Sequence, residues 1–160
     1  MTFLREILLL SVVAGAILQL CGCTTTNPGP VSISKVNPYH LETSRSVKTD
    51  DEMIKFERRR LSYGAVDSAD FRERKGYYYT VFWNTKTKAP ATVRFEYRVA
   101  ATGPEIHQKE IHVSKPKGRN ATRFEVIGEE YEEMGRVTQW RATVVENGVV
   151  VAEFKSFLWK

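Results

Sequence analysis

The stretch Thr92–Val99, TVRFEYRV, changes hydrophobic character at every residue. Val93, Phe95, Tyr97 and Val99 form an apolar set, and Thr92, Arg94, Glu96 and Arg98 form a polar one. A period of two sends these sets to opposite faces of an extended chain, so the stretch reads as a half-buried strand. Thr122, Phe124 and Val126 alternate with Arg123 and Glu125 in the same way. YYYTVFWN (77–84), EIHVS (110–114), VTQWRATVV (137–145) and VVVAEFKSFLW (149–159) are further strands, separated by turn-forming TKTKAP, KPKGR and ENG. Six or seven short strands at this spacing predict a mainly β fold, an antiparallel β-sandwich.

The layout of residues 77–160 resembles an immunoglobulin-like or fibronectin-III-like domain. The resemblance is architectural and implies no activity. Within it, Tyr77, Tyr79, Val81 and Trp83 share one face of their strand, and Tyr78, Thr80 and Phe82 share the other. Both faces are apolar, which predicts a central strand covered by the opposing sheet on one side and by a helix on the other. The competing expectation is an aromatic binding surface at Tyr78 and Phe82, open to sugars or to a protein partner.

The last hairpin poses a conflict between turn and packing. Asn147-Gly148 favours a two-residue turn, which sets Ala142 against Glu153 and Trp140 against Lys155. A three-residue loop, Glu146–Gly148, instead pairs Val144 with Val150, Ala142 with Ala152 and Trp140 with Phe154. The consistently apolar face favours the three-residue loop, with Gly148 at positive φ.

Residues 49–76 read as a helical segment packing on the sandwich. Thr49-x-x-Glu52 has the form of a capping box, and Met53, Ile54, Phe56 and Leu61 form an apolar face. Gly64 suits a left-handed helix end. DSADFRERKG offers a second, shorter helix, capped by Asp67 or Ser68 and stopped at Gly76. Residues 23–48 are rich in Thr, Ser, Pro and Asn and read as a tether, with an early strand at Val31–Val36.

Before the tether, a weakly positive start and the uncharged run Ile7–Leu20 have the form of a secretory signal peptide over residues 1–22. A run of that length spans about 21 Å, short of the roughly 30 Å hydrocarbon core. The chain's two cysteines follow at once. Leu20-Cys21-Gly22-Cys23 resembles the lipobox of bacterial lipoproteins: an aliphatic residue, a tolerant position, a small residue and the modified cysteine. The resemblance implies diacylglycerol on Cys23, cleavage between Gly22 and Cys23, and acylation of the new amine. It also implies anchorage in the bilayer through acyl chains, at the periplasmic face of the outer membrane rather than the inner membrane, since Thr24 and not aspartate follows the cysteine. The whole chain resembles lipoproteins that carry a C-terminal β domain.

About 140 residues remain after cleavage, enough for one domain. The net charge of +5 is unchanged, because Arg5 and Glu6 leave together. FERRRLSYG has acidic neighbours, and basic SKPKGR is balanced by acidic GEEYEEMG, so the charges read as an ordinary solvated surface rather than a stripe for nucleic acid. In EIHQKEIH, His107 and His112 are an odd number apart and face opposite sides of a strand, so no metal site is expected. His40 is isolated in the tether. The chain contains no GxSxG, HExxH or P-loop pattern, and no cofactor is expected. A binding or structural module of the cell envelope, with a protein or glycan partner, is the leading expectation. An envelope enzyme, or an accessory subunit acting on cell-wall or polysaccharide substrates, is the alternative.

Overall fold

A computed structural model of the chain describes residues 29–42 and 49–160. The lipobox Leu20–Cys23 lies outside the described residues. The elements run β1 (Val31–Leu41), α1 (Glu52–Leu61), α2 (Ser68–Arg74), β2 (Gly76–Thr85), β3 (Ala91–Val99), β4 (His107–Val113), β5 (Arg119–Ile127), α3 (Gly128–Met134), β6 (Val137–Glu146) and β7 (Val149–Lys155). Two antiparallel sheets form the predicted sandwich, one in the order β1-β2-β5 and the other in the order β4-β3-β6-β7.

The alternation that identified β3 also builds the core. Val93, Phe95 and Val99 are fully enclosed, and they meet Val81 and Trp83 of β2 and Phe124 and Val126 of β5 across the sandwich. Phe95 stacks on Phe124 with ring centroids 5.3 Å apart, and Tyr79 tilts onto Phe95 at 4.6 Å. Each such side chain contributes about 1.5–3 kcal/mol by leaving water. Two polar groups of the core aromatics find partners: Trp83 Nε1 donates to Thr122 Oγ1 at 3.0 Å, and Tyr97 OH donates to Glu130 Oε1. Lys109 Nζ bonds the other oxygen of Glu130, which ties α3 to β4 and closes that edge of the sandwich. The acidic GEEYEEM is this short helix.

Several expectations are corrected. Within the expected tether, β1 runs to Leu41, past the strand expected at Val31–Val36, and forms the edge of the first sheet. Pro38 is tolerated there because an edge strand leaves backbone positions without a ladder partner. The N-cap of α1 is Asp51, whose carboxylate accepts from Met53 N at 2.8 Å, while Thr49 Oγ1 accepts from Asp51 N. Asp67 caps α2 in a true capping box with Asp70. Met53, Ile54 and Phe56 do not pack on the sandwich but are exposed; Leu61 alone of that face is buried, against Leu41 and Tyr78. Gly76 has φ +140, and a Cβ there would sit 2.3 Å from the carbonyl oxygen of Val126, so only glycine lets β2 start this close to β5.

The last hairpin turns on two residues, not three. Asn147 (φ 51) and Gly148 (φ 78) are both left-handed, as a type I′ turn requires, and Glu146 pairs with Val149. A bulge then leaves Val151 unpaired, so that Val144 faces Ala152 and Ala142 faces Phe154. β7 ends at Lys155, and a turn from Ser156 brings Trp159 back over the outer face of the second sheet.

Candidate functional site

The outer face of the three-stranded sheet is a small grid fixed by register. Its rows are Lys35–Phe82–Ala121, Asn37–Thr80–Arg123 and Tyr39–Tyr78–Glu125. The strand period alone dictates this arrangement, since each of these residues is two positions from the next along its strand. Helix α1 lies over the Tyr78 row and leaves a cleft of about 410 Å³ beside it.

The two aromatics singled out in the sequence have different fates. Tyr78 is 5% exposed, capped by Leu61, and its hydroxyl donates to the Arg74 carbonyl at 2.6 Å. Burial pushes its phenol up to about 12. Phe82 is half-buried and faces the cleft. The Lys35 ammonium lies 4.9 Å from its ring centre, within cation–π range. The strand is thus covered at one end of the row and open at the other.

Cations flank the open end. Arg60 of α1 is held by Glu57 at 2.6 Å, and Arg123 stands 3.9 Å from Glu125. Asn37 and Thr80 add an amide and a hydroxyl to the cleft. Such a site suits a flat apolar group laid against Phe82, with polar or anionic substituents at the guanidinium groups.

The histidines do not converge. His107 Nε2 bonds Thr102 Oγ1 at 2.8 Å beside Tyr97, whereas His112 lies beside Thr92 on the other face of the sheet. Among the described residues, no three His, Cys, Asp or Glu side chains are grouped to hold a metal. His40, expected in the tether, belongs to β1. It stacks on Tyr77 with centroids 4.3 Å apart and bonds the Tyr131 hydroxyl at 3.0 Å. Burial lowers its pKa. Sequence reasoning missed this cluster because the strand that carries His40 was read only as far as Val36.

The fold class is an antiparallel β-sandwich with a short helical segment docked on one sheet. No protein-family model matches the chain, and neither does any curated protein. A solved structure from Akkermansia muciniphila is similar in fold, with a TM-score of 0.49 at 16% sequence identity, covering 85% of this chain and 75% of that one. Among the described residues, no helix is long and apolar enough to cross a membrane.

Proposed function

We propose that the protein is a lipid-anchored binding module of the bacterial cell envelope. Acyl chains on Cys23 hold it at the membrane, with the periplasmic face of the outer membrane as its station, and the cleft beside α1 receives an envelope glycan or a protein segment. The observation that carries the binding reading is the half-buried ring of Phe82 set in that cleft between Arg60 and Arg123, which places an aromatic face and two guanidinium groups in one recess. Two or three acyl chains, at about 0.8 kcal/mol per buried CH₂, suffice for durable anchorage.

The test has two arms in the native cell. A clickable fatty acid should label the wild-type protein and the Cys21→Ser variant, and should fail to label Cys23→Ser. A photo-crosslinking amino acid at Phe82 should give a discrete adduct that Arg123→Glu diminishes, whereas the same probe at exposed Val149 should not. Labelling that survives Cys23→Ser overturns the anchor. Identical crosslinking from both positions overturns the cleft.

A further inference from the structure

The sequence holds two short lysine-rich turns, TKTKAP and SKPKGR, well apart along the chain. Each looks like ordinary solvated surface. The fold brings them together. Thr85 N donates to Gly118 O at 2.9 Å, which ties the β2–β3 turn to the β4–β5 turn at one end of the sandwich. Lys86, Lys88, Lys115 and Lys117 line a shared recess of about 500 Å³, and all four are exposed. Arg119, also exposed, begins β5 next to them.

Among the described residues, no ion pair engages any of these five cations. The acid nearest to them in the hydrogen-bond network is Glu146 of the β6–β7 hairpin, which accepts from Thr87 Oγ1 at 2.8 Å. The turns are braced. Thr85 Oγ1 accepts from Thr87 N, the Asn120 side chain bonds both the N–H and the carbonyl of Lys117, and Pro116 is buried. Like charges gathered on rigid turns without acidic partners make a one-signed surface, and such a surface attracts an anionic partner.

We propose that this end of the sandwich docks on an anionic phospholipid bilayer. The inference rests on the lipid anchor at Cys23. What selects the bilayer is where the chain enters. Lys86 N donates to Pro30 O at 2.8 Å, so the start of β1 sits beside the lysine recess. Residues 24–30 can span at most about 29 Å between Cys23 and Val31. β1 has 11 residues, so its far end at Leu41 lies roughly 33 Å further on. An anchor at Cys23 therefore holds the basic end within reach of the headgroups and the opposite end away from them. Each lysine close to an anionic surface strengthens the attraction roughly fivefold, so the cluster fixes an orientation that the acyl chains leave open.

The experiment uses the acylated protein reconstituted in vesicles, with amide hydrogen exchange as the readout. In vesicles with about 30 mol % phosphatidylglycerol, amides in 86–89 and 115–119 should exchange roughly tenfold more slowly than in pure phosphatidylcholine. The slowing should vanish at high salt, and in the K86Q/K88Q/K115Q/K117Q variant, while the core strands exchange as before. Equal exchange in the two vesicle types, or slowing that persists in the quadruple variant, overturns the docking. Slowing produced by soluble polyphosphate but not by anionic vesicles overturns it in favour of an anionic wall polymer. A purified protein whose mass carries no acyl chains overturns the anchor and this orientation with it, a result distinct from an acylated protein whose turns exchange alike.

Discussion

Trp159 covers Arg141: the ring centre lies 5.1 Å from the guanidinium carbon, and Arg98 approaches the same ring at 4.9 Å. Arg141 in turn forks onto Glu96, at 2.7 and 2.9 Å, and reaches Glu153 at 3.4 Å. Glu96 is only 8% exposed, so this pairing satisfies a carboxylate that the outer sheet face has largely removed from water. The indole is 6% exposed and roofs one face of the Arg141 guanidinium, whose side chain stays 31% exposed.

Removing that roof should destabilise the whole domain. Trp159→Ala is expected to cost about 3 kcal/mol through lost contacts and cation–π attraction, and Trp159→Phe about 1 kcal/mol. Urea unfolding measures both, with a lower midpoint and an unchanged slope. An alanine variant as stable as the wild type would show that the C-terminal turn rests on the sheet without supporting it.

The hairpin between β6 and β7 makes a sharper prediction. Its Asn-Gly turn alone would set Glu153 against Ala142, but the bulge at Val151 restores the apolar parity and sets Phe154 there instead. Trp140 and Phe154 still meet, stacked at 6.2 Å, as diagonal neighbours at a partly exposed site rather than as a directly opposed core pair. Deleting Val151 leaves a two-residue turn and a regular ladder in which Val144 still faces Ala152. That deletion should therefore change stability by less than about 1 kcal/mol. Deleting Thr143 from β6, which is paired on both sides, should abolish folding. Near-ultraviolet circular dichroism and thermal unfolding decide the matter, and a Val151 deletion that fails to fold would falsify the proposed role of the bulge.

Legibility in the sequence followed range. Alternation within β2, β3 and β5 depends on a local period, and it identified the strands and the enclosed faces of Trp83, Phe95 and Phe124. It did not show that β1 reaches Leu41, because Asn37 and Pro38 interrupt the pattern and an edge strand tolerates them. The apolar face of α1 was legible, but what it packs on was not: docking of Leu61 alone depends on where the helix crosses the sheet. The turn was legible at Asn147-Gly148 and the parity at Ala142 and Val144. The bulge that reconciles them follows from neither. The lysine recess depends on topology entirely, since each basic turn is unexceptional until Thr85 and Gly118 are hydrogen-bonded.

Alkaline pH should weaken the fold through its buried phenols. Burial raises the pKa of Tyr78 to about 12, and burial also raises those of Tyr79 and Tyr97. A phenol in the unfolded chain ionises near 10, so above that pH the unfolded state releases protons that the folded state retains. Stability is then complete below pH 10 and is lost as pH rises towards 12. Tyr78→Phe removes one such group together with the bond to the Arg74 carbonyl. It should cost about 1 kcal/mol at neutral pH, and its stability should fall less steeply above pH 10. Parallel curves for the variant and the wild type would show that Tyr78 takes no part.

The last prediction separates what holds α1 from what it displays. Leu61 is 8% exposed and packs on Leu41 and Tyr78, whereas Phe56 is 52% exposed on the same helix. Area removed from water differs accordingly, and with it the contribution to stability. Leu61→Ala should cost about 2–3 kcal/mol and loosen α1 from the sheet. Phe56→Ala should stay within about 0.5 kcal/mol. Urea unfolding gives the energies, and limited trypsinolysis at Arg58–Arg60 reports the docking, because a loosened helix presents those bonds to the protease. Cleavage should quicken in the Leu61 variant alone. Equal cleavage in both variants would mean that α1 is held by contacts other than Leu61, and the wall of the cleft beside Phe82 would then have to be assigned to them.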